Sequence, residues 1–107
     1  MPAAPRTSAY AHIVHSPGVL GGEARIRGHR IRVRDIVEAR DLGAQTPEEV
    51  VANAFPSLTL AQVYSALAYY EDHRREITLA SEVERRRVEE FRRRRPESSV
   101  HAGSRKR

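Results

Sequence analysis

Between Ala24 and Arg34 the chain carries five arginines and no acid. Ala24, Ile26, Ile31 and Val33 alternate with Arg25, Arg27, Arg30, Arg32 and Arg34 around Gly28, the pattern of a β-hairpin with one wet face. Guanidinium groups gathered on such a face suit phosphate, so Arg25, Arg27, Arg30 and Arg32 are the expected contacts to a nucleic-acid backbone. An ordinary solvated face with snorkelling side chains is the alternative. A second set lies in the helix opened by Thr59, where Gln62, Ser65 and Tyr69 are expected on the solvent side. There Gln62 could bond both edge atoms of an adenine in a major groove. The helix holds no Lys or Arg before Arg74, so its cations would have to come from the hairpin or the tail. Catalytic chemistry finds less support. His12 and His15 fall on opposite sides of a strand and cannot share a metal ion without distortion. Asp35 and Glu38 sit at a helix start, where the macrodipole favours acids. Gly21-Gly22 and Gly28 lack a following Gly-Lys-Ser/Thr. No catalytic residue, metal or cofactor is expected, and the chain reads as a non-enzyme.

These residues need elements to hold them, and the sharpest signals are two capping boxes thirteen positions apart. Thr46-Pro47-Glu48-Glu49 and Thr59-Leu60-Ala61-Gln62 each pair a threonine N-cap with a Glu or Gln one turn on. Pro47 suits the first helical position, while Pro56 stops the first helix at Phe55. The linker is then Pro56-Ser57-Leu58, short enough for a helix-turn-helix. Leu58 is the expected buried turn residue, and Val50, Val51, Ala54, Val63, Leu67 and Tyr70 the inward faces. Asp35 to Leu42 is expected as a preceding helix, with Ile36, Ala39 and Leu42 on its stripe and Gly43 as its stop. Ser81-Glu82-Val83-Glu84 matches a third capping box and predicts a separate helix that Pro96 ends. Pairs Glu82 with Arg86, Glu89 with Arg93 and Glu90 with Arg94 support that helix. Its apolar stripe of Ala80, Val83, Val88 and Phe91 is thin, so it should dock on this domain, a second copy or another protein.

The organisation expected is a disordered lead-in (1–11), a hairpin plus helix-turn-helix domain (12–77), a C-terminal helix (78–96) and a disordered basic tail (97–107). The fold class is mostly α: a three-helix helix-turn-helix domain, homeodomain-like or winged, with an N-terminal β-hairpin and a C-terminal helical extension. With 107 residues and no cysteine there is room for one core, held by helix packing and by dimerisation. The net charge of +5 hides an uneven distribution. Residues 35–77 hold three basic and eight acidic residues, whereas residues 92–107 hold seven basic residues against Glu97. No stretch approaches the roughly 20 apolar residues of a membrane span, and no apolar leader opens the chain, so no membrane contact and a cytoplasmic location are expected.

From Ile13 to Tyr70 the order of motifs resembles a bacterial family. Those motifs are a strand and Ser-Pro, Gly21-Gly22, Ile26-Arg27-Gly28-His29-Arg30-Ile31-Arg32-Val33, Gly43, Thr46-Pro47-Glu48-Glu49, Phe55-Pro56-Ser57-Leu58-Thr59 and Ala66-Leu67-Ala68-Tyr69-Tyr70. The family is the domain of unknown function 433. His29 and Arg32 depart from its usual Thr and Pro, and residues 80–107 lie outside its pattern. The resemblance implies an antitoxin-like protein of a type II toxin-antitoxin operon. Its C-terminal extension would neutralise a PIN-like ribonuclease toxin, and its helix-turn-helix would bind operator DNA, repressing the operon. On that reading Val88, Phe91, Arg92, Arg93, Arg94 and Arg95 form the partner-binding segment, with an arginine entering the toxin's carboxylate cluster. A nonspecific polycationic tail is the plainer account of the arginines. A stand-alone transcriptional regulator and a protein-interaction adaptor that never meets DNA remain open beside the antitoxin.

Overall fold

A computed structural model of the chain describes residues 6, 7 and 9–94. Strands β1 (Arg6–Thr7), β2 (Ile13–His15) and β3 (Arg25–Ile26) form a small antiparallel sheet in that order. Four helices follow: α1 (Val33–Gly43), α2 (Pro47–Asn53), α3 (Leu60–Asp72) and α4 (Arg74–Arg94). The chain is thus mostly helical, with a small antiparallel N-terminal hairpin.

Register in the sheet is set by Ile13 facing Ile26 and Val14 facing Arg25. Ile13 and Ile26 are fully buried against Val33, Ile36, Val50 and Val63, which joins the sheet to the first three helices in one core. The arginine hairpin is shorter than the alternation predicts. Beyond Ile26 the chain makes a tight turn, with Gly28 at φ +83°, and closes by the Ile26 N–H donating to the Ile31 carbonyl and a single Arg25–Arg32 bridge. Val33 still donates its N–H to the Ala24 carbonyl at 2.9 Å, but Asp35 accepts the Arg32 backbone N–H at 2.9 Å as a helix cap, and α1 starts two residues before the expected Asp35.

Both threonine capping boxes form. Glu49 N–H donates to Thr46 Oγ1 and Thr46 N–H to Glu49 Oε1, while Gln62 N–H donates to Thr59 Oγ1 and Thr59 N–H to Gln62 Oε1. Helix α2 ends at Asn53, before Pro56, and Leu58 is buried in the link as expected. Val50 and Val63 are inward, but Ala54 is exposed, and the buried stripe of α3 runs through Val63, Ala66 and Tyr69.

Further expectations are corrected. The lead-in expected to be disordered over 1–11 contributes β1, which pairs Arg6 with His15 and Thr7 with Val14, and Tyr10, which packs edge-on against Tyr69. The left-handed cap of α1 falls on Ala44, not on Gly43, which lies inside the helix. Leu42 is 90% exposed, because α1 buries the face of Val33, Ile36 and Val37 instead of one ending at Leu42. Ser81 starts no helix. The break comes at His73, whose φ of −132° and ψ of 38° leave helical geometry, and α4 then runs unbroken from Arg74 past Ser81 and across the expected boundary at 77/78. Ser81 Oγ donates to Glu38 on α1 at 3.0 Å, a tertiary contact that holds this turn of α4 against α1. Pro96, the expected stop, lies outside the described residues. No helix among them is long and apolar enough to cross a membrane.

Candidate functional site

Of the three side chains expected to face a DNA groove, Tyr69 is excluded by burial. It is 3% exposed, its ring is stacked on His73 at 4.0 Å between centroids, and Tyr10 meets it edge-on. Its hydroxyl donates to Glu76 at 3.0 Å and lies 3.2 Å from His15 Nε2. Burial and the Glu76 carboxylate both hold the phenol well above its ordinary pKa. Ser65 is half-buried. Gln62 is also half-buried, and its Oε1 is engaged in the cap of α3, so both amide atoms are not open to an adenine edge. The outward stripe of α3 is instead Leu60, Ala61, Tyr64, Ala68 and Glu71, without a cation. Gln62's place in the capping box was the sequence signal that turned this stripe away from it.

The hairpin arginines divide. Arg25 is half-buried and donates to Ser16 Oγ and, at 2.9 Å, to the His29 carbonyl, so it pins the turn from inside. Arg32 is bound to Asp35 at 3.0 Å and lies 3.8 Å from Glu23; the Asp35 hydrogen bond raises its already high pKa. Arg27 and Arg30 are exposed at the tip and, among the described residues, have no ion pair. Arg34 is neither wing nor tip. The first turn of α1 carries it inward, to 5% exposure, where Glu23 lies at 2.8 Å and Glu38 and Glu84 at 3.9 Å. One guanidinium thus ties the loop before β3 to both α1 and α4. Asp35 as an early-turn acid was the available hint that Arg34 belongs to a helix.

Helix α4 has two halves. Ile77 is buried, and Ser81 and Glu84 reach α1 and Arg34. Every residue from Arg85 to Arg94 is exposed. At 100° per residue, Val88 and Phe91 continue the stripe that begins at Ile77, so the face that packs on the domain runs out past its edge. Val88 is 41% and Phe91 59% exposed. This arm holds six arginines and two glutamates, a net +4. Of the three ion pairs expected along it, Glu90 with Arg94 forms at 3.2 Å. Arg92, Arg93 and Arg94 project with Val88 and Phe91 as the expected partner-binding segment, and Arg95 lies outside the described residues. No group of three or more His, Asp or Glu among the described residues could hold a metal ion.

The profile of a family described as protein of unknown function matches residues 13–70, more than half of the chain. No curated protein matches it. A solved structure, that of a DUF433 member protein from Anabaena variabilis ATCC 29413, aligns at 38% identity with a TM-score of 0.56. The alignment covers 64% of this chain and 66% of that one, just under two thirds of its length. The matched segment runs from β2 to the end of the Tyr69-Tyr70 turn of α3 and leaves out α4, and over it the chain belongs to the DUF433 family.

Proposed function

We propose that the protein is a non-enzymatic binding module of the antitoxin type, whose α4 arm captures an acidic protein partner, a PIN-like ribonuclease. One observation carries the reading: a helix anchored on the domain by Ile77, Ser81 and Glu84 continues for ten exposed residues with its apolar stripe in register and a net charge of +4. Such a half-helix would be marginal as an isolated peptide, but here it is nucleated by its packed half and needs no ordering before it docks. Val88 and Phe91 supply apolar contact, and the flanking arginines supply forks matched to carboxylates.

The test is co-expression with the product of the adjacent gene. The full chain should co-purify with it and suppress its nuclease activity, and a chain cut after Glu84 should do neither while staying folded. Neutralisation unchanged by that cut removes the arm from the mechanism.

A second reading, contact with operator DNA, is supported by Arg27 and Arg30 alone. In this reading α2 and α3 act as a helix-turn-helix scaffold, and the exposed hairpin tip meets phosphates without reading bases. Each phosphate contact contributes about −0.9 to the slope of log K against log salt, so Arg27→Ala with Arg30→Ala should flatten the slope by about 2 per chain. A slope unchanged in the double variant removes the hairpin from DNA binding.

A further inference from the structure

Helices α1 and α4 enclose a groove of about 480 Å³ whose walls include Val37, Leu42, Tyr70 and Ile77. Its lining carries three acids, Glu38, Asp41 and Glu82, against Arg85, and Arg40 at its edge bonds Asp41 at 3.0 Å, an exposed pair open to exchange. Leu42, 90% exposed at the last turn of α1, stands at this rim, where an apolar side chain gains nothing from water. The arm of the same helix has the opposite character, with Val88 and Phe91 set among arginines. A continuous helix cannot fold back into its own groove.

We propose that the groove between α1 and α4 receives the α4 arm of a second copy of this chain, giving a two-fold dimer with its α4 helices antiparallel. Because one helix supplies both wall and insert, a single two-fold axis near Glu84 uses both grooves at once, as an isologous interface requires. The 88–94 stretch of each copy then lies beside the first turns of its mate's α4. The arginines meet Glu38, Asp41 and Glu82, and Val88 and Phe91 cover Leu42. The second copy is the occupant favoured by charge, since an acidic apolar groove and a basic apolar arm stand on one chain. The proposal rests on the reading of α4 as a docking arm and makes self-association and partner capture compete for it.

The full chain is measured by light scattering after size exclusion, with no second protein present, so the outcome does not depend on whether the adjacent gene product is captured. The wild type should have twice the 12.1 kDa chain mass. Raising salt from about 0.05 to about 0.5 M should weaken the dimer, because the contacts are rim charges. Asp41→Arg with Glu82→Arg in the groove, and Arg92→Glu with Arg93→Glu in the arm, should each weaken dimerisation at least about tenfold while leaving the circular dichroism of the fold unchanged. Mixed, the two variants should pair again, since reversed groove meets reversed arm. Leu42→Ser, at a nearly fully exposed position, should weaken the dimer by removing apolar contact without changing any charge. A wild type monomeric at about 200 μM, well above ordinary dimer affinities, overturns the proposal. So do a dimer that survives both charge variants, variants that fail to pair when mixed, and a monomer that loses the adjacent gene product when its groove is reversed, which would give the groove to that protein.

Discussion

Replacing Tyr69 by phenylalanine removes one oxygen and leaves the stacking on His73 and the edge contact with Tyr10 in place. What is lost is a hydroxyl donating to the Glu76 carboxylate and lying beside His15. A hydrogen bond to a charged group contributes about 1.5–3 kcal/mol, but Glu76 is exposed and regains water, so a cost of about 1–2 kcal/mol is expected. For a folded unit of this size that is a fall in Tm of roughly 4–12 °C. Tyr64→Phe is the internal control. Tyr64 is exposed and only 3.4 Å from Glu48, so its loss should stay within about 0.5 kcal/mol. The phenol also predicts a pH effect. Its pKa is raised in the folded chain, so its contribution is intact below about 10 and is lost as pH rises further, when the unfolded chain sheds the proton first. Wild type should therefore lose stability more steeply than Tyr69→Phe above pH 10. Urea and thermal unfolding followed by circular dichroism decide the matter. If Tyr69→Phe matches wild type, or costs less than Tyr64→Phe, the hydroxyl does not hold β2 to the start of α4, and the assignment of Tyr69 to the interior fails.

Three further outcomes follow from the same geometry. Glu23→Gln leaves the buried Arg34 with carboxylates only at 3.9 Å, beyond hydrogen-bond reach, and should cost about 2–3 kcal/mol; Arg34→Met should cost less, because its half-exposed acids can rehydrate. Chemical denaturation of both variants checks the order. Ala44→Gly removes a left-handed alanine and should raise stability by about 1 kcal/mol, read as a higher urea midpoint at constant m-value. Truncation after Ile77 cuts the Ser81–Glu38 and Glu84–Arg34 ties and should lower Tm, whereas truncation after Glu84, compared with the full chain at a concentration where both are monomeric, should leave it nearly unchanged, a comparison that locates the border between domain and arm.

Local chemistry was legible in the residues themselves. Thr46 and Thr59 name their helices because a capping box is closed within four residues and needs nothing from the rest of the chain. Leu58 is buried where a short link between two helices must turn its apolar residue inward. Part of the α4 stripe could be read for the same reason, since helical spacing puts Val88 and Phe91 on one side, but Val83, expected with them, is 45% exposed and turned away from the Ile77 face. Faces that depend on a neighbour could not. Tyr69 and Tyr64 are both tyrosines on α3, five positions apart, and only the approach of β2, Tyr10 and Glu76 makes one of them interior. The arginines from 25 to 34 are alike in sequence and unlike in place. Arg25 pins a turn, Arg32 caps a helix, Arg34 is enclosed by three acids, and Arg27 and Arg30 meet water. The third capping box failed because the chain breaks at His73 and α4 runs on through Ser81, which faces Glu38 on α1 instead of starting a helix. Sequence determined where α2 and α3 begin, because those choices are settled by bonds of short range. Tertiary structure decided which charges remain free to act, because a guanidinium is spent or available according to the carboxylates that distant segments bring to it.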